Sequence, residues 1–111
     1  MPIARDLKRI AAVIAALSIP CAGAVDVPAA QALLDKSECW NCHAIDKAKS
    51  GPAYKEVAKK YKGAPDAVEK LYKHATSRPM VKVDGNMEEH ATLKSKNPAE
   101  IRNAIQWILS F

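Results

Sequence analysis

Three donor side chains lie within five residues, Cys39-Trp40-Asn41-Cys42-His43. The spacing has a chemical use. Thiols three positions apart on a helical turn project from nearly one face, so each can add to one of the two vinyl groups of a haem. The imidazole that follows is then carried beneath the ring, where it can take one axial position of the iron. C-x-x-C-H is the attachment signature of c-type haem. The cysteine pair has two other readings. A thiol–disulfide switch would sit beside a strand–helix–strand pattern, which this chain lacks. A structural zinc site would need a second closely spaced ligand pair, and His74 and His90 are the only other histidines. Haem attachment is the reading that uses His43 as well as both thiols.

The first residues serve another purpose. Met1 to Arg9 carries Arg5, Lys8 and Arg9, Ile10 to Ile19 is an apolar run, and Pro20 to Ala24 ends in small residues. That pattern predicts an export signal over residues 1–24, cleaved after Ala22-Gly23-Ala24. The run is too short for a stable bilayer anchor. Cys21 raises lipid attachment, but Ser18-Ile19-Pro20 is a poor setting for it. The expected mature domain is then 25–111, in the periplasm, with no cysteine outside the motif and hence no structural disulfide, although the compartment would permit one.

The 111-residue chain carries 17 basic and 12 acidic residues, a formal net charge of +5. Residues 25–111 keep 14 basic and 11 acidic residues, a net +3. This mild excess, without a nucleic-acid-binding motif, gives no nucleic-acid profile. So short a chain buries a modest core, and a haem would add apolar surface at its centre. The apoprotein is therefore expected to be largely unfolded.

Helices must position the donors. Asp26 and Pro28 mark a start, and Ala29, Ala30, Leu33 and Leu34 give an apolar stripe that should run to about Glu38 and deliver Cys39. Ala44 to Gly51 reads as a polar loop ending in Gly51-Pro52. That pair is a turn by default; more specifically, the Pro52 carbonyl would accept a hydrogen bond from the free ring nitrogen of His43, which fixes its tautomer. A second helix over roughly Ala53 to Tyr61 turns Tyr54, Val57, Ala58 and Tyr61 inward. A third, Asp66 to about His74, buries Ala67, Val68, Leu71 and Tyr72. Thr76 to Lys96 shows no sustained period, and so long a loop in a small domain implies a task, here presenting the second axial ligand. Asn97 as cap, Pro98 at the first position and Glu100 as capping-box partner open the last helix, whose stripe is Ile101, Ala104, Ile105, Ile108 and Leu109. Trp107 is expected in the core.

Taken in order, the Cys39–His43 motif, Gly51-Pro52, Val57-Ala58-Lys59-Lys60-Tyr61-Lys62-Gly63 and the closing Trp107-Ile108-Leu109 resemble the small bacterial class I cytochromes c. The resemblance covers most of residues 25–111. It implies an all-α, four-helix fold wrapped around one covalently attached haem c, with crossed first and last helices. It also implies thioethers at Cys39 and Cys42, His43 as proximal ligand and the Pro52 carbonyl as its support. The chain departs from the family where Met-Pro-Pro would supply the distal methionine. It has Arg78-Pro79-Met80-Val81-Lys82-Val83-Asp84-Gly85-Asn86-Met87-Glu88-Glu89-His90 instead. Counting forward from the third helix reaches Met87, and counting back from Trp107 reaches His90. Both stay open as distal ligand, with Met80 the weaker candidate.

The function implied is a periplasmic one-electron carrier, not an enzyme, that acts as a monomer with transient redox partners and no stable membrane insertion. Lys55, Lys59, Lys82 and Lys94 would steer acidic partner surfaces. The alternatives are the haem subunit of a periplasmic dehydrogenase complex and a gas-binding or sensing haem protein.

Overall fold

The computed structural model describes residues 24–111; the expected export signal and its cleavage site fall almost wholly outside them. Four helices carry the structure: α1 (Val27–Lys36), α2 (Tyr54–Lys60), α3 (Ala67–Thr76) and α4 (Pro98–Leu109). A hairpin of β1 (Met80–Val83) and β2 (Asn86–Glu89) separates α3 from α4.

The Asp26 carboxylate caps α1 by accepting from Ala29 N at 3.1 Å, as an N-cap acid should. The helix then buries Ala30, Leu33 and Leu34 against Ile101, Ala104, Ile105 and Trp107 of α4. Each such leucine contributes roughly 1.5–3 kcal/mol through its burial. The entrance of α1 is fastened to α4 by one side chain. The Asn103 amide accepts from Asp26 N at 2.9 Å and donates to Asp26 O at 2.8 Å. At the other end Ser37, only 2% exposed, accepts from Lys94 N at 2.8 Å, which ties α1 to the segment before α4. The α3 helix is held by Arg102 of α4, which pairs with Glu69 at 3.2 Å and lies over the Tyr72 ring at 4.8 Å.

Three sequence expectations need correction. The first helix ends at Lys36, not near Glu38, because Glu38 takes a left-handed φ of 60° and swings the chain into the cysteine motif. Glu100 does not close a capping box directly. Ser95 Oγ donates to Glu100 Oε2 at 2.6 Å and accepts from Asn97 N at 3.0 Å, while Asn97 itself accepts from Ala99 N. The span from Thr76 to Lys96 is not irregular throughout, since the antiparallel hairpin pairs Met80 with Glu89, Val81 with Glu88, Lys82 with Met87 and Val83 with Asn86. Its turn is Asp84-Gly85, both at positive φ, 49° and 88°, the two-residue geometry whose twist matches that of the strands. Val81 and Val83 are half-buried, and the other face points outward. Among the described residues no helix is long and apolar enough to cross a membrane.

Candidate haem site

Cys39 to Asn41 form a single 3-10 turn. Such a turn has three residues per revolution, so positions i and i+3 eclipse, and this brings Cys39 and Cys42 to one side. Both are half-buried free thiols. Burial pushes the Cys39 thiol above its ordinary pKa, with a hydrogen bond from Tyr54 opposing the shift. A thiol-exchange cysteine needs the reverse, so the setting does not suit a redox dithiol.

His43 is held on three sides. Its Nδ1 lies 2.7 Å from the Pro52 carbonyl oxygen. A carbonyl only accepts, so Nδ1 carries the proton and Nε2 keeps its lone pair. The Tyr54 ring, 5% exposed, stacks on the imidazole at 4.8 Å between centroids and 17° between planes. Gly51 passes so close that a Cβ there would meet His43 Cε1 at 2.6 Å and Nδ1 at 3.0 Å; no larger residue fits. Gly51 N donates to Cys42 O at 2.7 Å, and Tyr54 N to Ala44 O at 2.9 Å. These bonds zip the loop onto the motif. Burial lowers the His43 pKa, and the bond to Pro52 partly offsets it. The ring is therefore neutral near pH 7, as an imidazole ligand must be.

His90 stands across from His43 at the base of the hairpin, where its N–H donates to Pro79 O at 2.8 Å. Its Nδ1 is 2.7 Å from Ala91 O, so it too is protonated at Nδ1 with Nε2 free. The two ring centroids are 6.2 Å apart at 53° between planes. His74, from the last turn of α3, packs against His90 at 4.3 Å between centroids. Met87 and Met80 are elsewhere. They lie on the outward face of the hairpin, 60% and 56% exposed. Among the described residues no three His, Cys, Asp or Glu side chains converge as a metal cage.

These donors fit a haem iron. Were the Nε2 atoms of both rings to bind one iron at about 2 Å each, with a ring radius of roughly 1 Å on either side, the centroids would stand near the separation found. The profile of the family described as Cytochrome c matches residues 27–111. The chain belongs to the cytochrome c family. It is 48% identical to the class 1 cytochrome MtoD from Sideroxydans lithotrophicus ES-1, whose crystal structure it matches with a TM-score of 0.74 over 78% of this chain and 97% of that one. Cytochrome c-552 of Hydrogenobacter thermophilus is 35% identical over 80 residues, 70% of this chain and 76% of the relative. Cytochrome c-551 of Allochromatium vinosum is 49% identical over 39 residues, a match spanning 35% of this chain and 42% of that protein. The protein is thus a small bacterial class I c-type cytochrome, with one covalently bound haem c and the electron-carrier role of that family.

Two groups at this cytochrome's site carried no site signal in the sequence. Tyr54 read only as part of an apolar stripe, and Gly51 only as a turn residue. His74 entered as a zinc candidate alone. Its position beside His90 is set by the course of residues 77–90, which no helical period reveals.

Proposed function

We propose that this cytochrome is a periplasmic one-electron carrier whose haem is bonded to Cys39 and Cys42 and ligated by His43 and His90, not by Met87 or Met80. One observation carries the choice of His90. Two imidazoles, each with Nδ1 turned to a backbone carbonyl at 2.7 Å, face one another across 6.2 Å, while both methionines point to solvent. Bound haem supplies a one-electron iron couple, and a second imidazole in place of a thioether lowers its potential. The chain does the rest. Pro52 raises the basicity of His43 through the Nδ1 bond, Tyr54 and Gly51 hold its plane, and the α1–α4 core keeps water from that side.

Residues 1–24 act as the export signal, leaving a domain of 25–111. The exposed lysines favour transient partners with acidic surfaces. Lys59, Lys82 and Lys94 are exposed, and Lys55 pairs with Asp46 at 2.5 Å, which leaves it less free for that work. Rim charges of this kind act on association rate and its salt dependence more than on affinity.

The test is the ferric absorption spectrum of the holoprotein and of its His90→Ala variant. The parent should lack the weak far-red band of methionine ligation and resist carbon monoxide when reduced. His90→Ala should become high-spin and bind carbon monoxide rapidly. A far-red band in the parent, or a variant spectrum identical to it, would sink the assignment.

A further inference from the structure

His90 has both other histidines of the chain near it, His43 at 6.2 Å and His74 at 4.3 Å between ring centroids. The haem site accounts for the first two. The third needs a reason, and the reason lies in how weakly His90 is held by its own segment. The ring rotates about Cβ–Cγ in a broad, two-fold well, so contacts must set its plane. Its Nδ1 partner is the carbonyl of the next residue, Ala91, which moves with the loop. The ring contact that comes from another element is His74.

We infer that His74 is a positioning residue for the distal imidazole: its ring, carried on α3, sets the plane of His90 and keeps it from swinging away from the iron. The inference rests on His90 being the ligand. The lever is stiff at its root. Ala67 buries the start of α3, Arg102 clamps Glu69 and covers Tyr72, and Leu93 N donates to Ala75 O at 3.0 Å. That last bond returns the segment after His90 to the residue beside His74. The distal loop is thus pinned at His90 by Pro79 and at Leu93 by Ala75, and the exposed His74 ring lies against His90 beside them. Ligands on helices are placed more accurately than ligands on loops; here a helix lends its rigidity to a ligand that it does not carry. A cationic or histidine side chain near a helix C-terminus also stabilises the helix, but that role would be blind to the plane of a neighbouring ring.

The experiment compares holoproteins carrying His74→Ala, His74→Phe and, as a control for helix-end effects, Lys73→Ala. Two readouts are taken: the ferric low-spin resonance pattern, which reports the mutual angle of the axial rings, and the rate at which added imidazole replaces the distal ligand. His74→Ala should shift and broaden the resonance and speed replacement by about tenfold, the scale on which a partner one shell beyond a metal ligand acts. His74→Phe, which restores a ring, should return both close to the parent, and Lys73→Ala should change neither. The inference is overturned if His74→Ala matches the parent in both while His90→Ala loses the bis-imidazole resonance. If His90→Ala keeps that resonance, the ligand assignment itself fails and takes this inference with it.

Discussion

The two imidazoles of the proposed haem site are held by opposite means. On the proximal side, His43 is fixed by residues that follow closely in the chain, Gly51, Pro52 and Tyr54, through a hydrogen bond, a stacked ring and a backbone approach with no spare room. On the distal side, His90 sits at the foot of an exposed two-stranded hairpin, and the ring beside it belongs to a different helix. One side is over-determined and the other adjustable. A two-stranded hairpin has little stability of its own, and local opening concentrates in such segments. Changes in the distal loop should therefore disturb its own side of the site and leave the attachment half in place.

The sharpest way to break the comparison is to remove the group that both sides hold. Cys39→Ser with Cys42→Ser should yield a colourless product with no cooperative thermal transition by circular dichroism. A normal melt would show that the helices suffice alone. Next in size, Gly51→Ala forces a Cβ into the His43 ring and should cost about 3 kcal/mol, as over-packing does, measured by guanidinium unfolding of the holoprotein. On the distal side the costs should be smaller and confined. Gly85→Ala puts a side chain at a φ of 88° and should cost about 1 kcal/mol, with the absorption spectrum unmoved. The least effect should come from Met87→Leu, within about 0.5 kcal/mol and with unchanged potential. In the parent, mild peroxide should convert Met80 and Met87 to sulfoxides, seen by peptide mass, while the visible spectrum persists. A change of spin state on that treatment, with the haem content unchanged, would put a methionine back on the iron.

What could be read from the residues follows the same division. The motif Cys39 to His43, the caps at Asp26 and Asn97, and the apolar stripes of α1 and α4 are local signals, and the helices lie where those signals put them. The α1 end was legible only to within two residues, because Glu38 leaves helical geometry to aim Cys39, a demand of the site that overrides propensity. The hairpin escapes a reading by periodicity although Asp84-Gly85 is a strong two-residue turn signal. Its strands are four residues long, and the charges at Lys82, Glu88 and Glu89 mask the alternation of Val81 and Val83. The hairpin also explains why the count to the distal ligand is ambiguous. Hairpin residues lengthen the segment without moving its ends, so no ungapped count from either side could choose between Met87 and His90.

The clasp between Asp26 and Asn103 joins positions 77 apart in sequence and carries a consequence for timing. The helix that leads into the two thiols is the first element of the domain to emerge, and the helix that must cover it is the last. Until the final residues arrive, α1 has no surface on which to settle, because contacts so distant cannot form before the intervening chain exists. Closure of the domain therefore waits for the whole of the intervening chain, in whichever order the two thiols react.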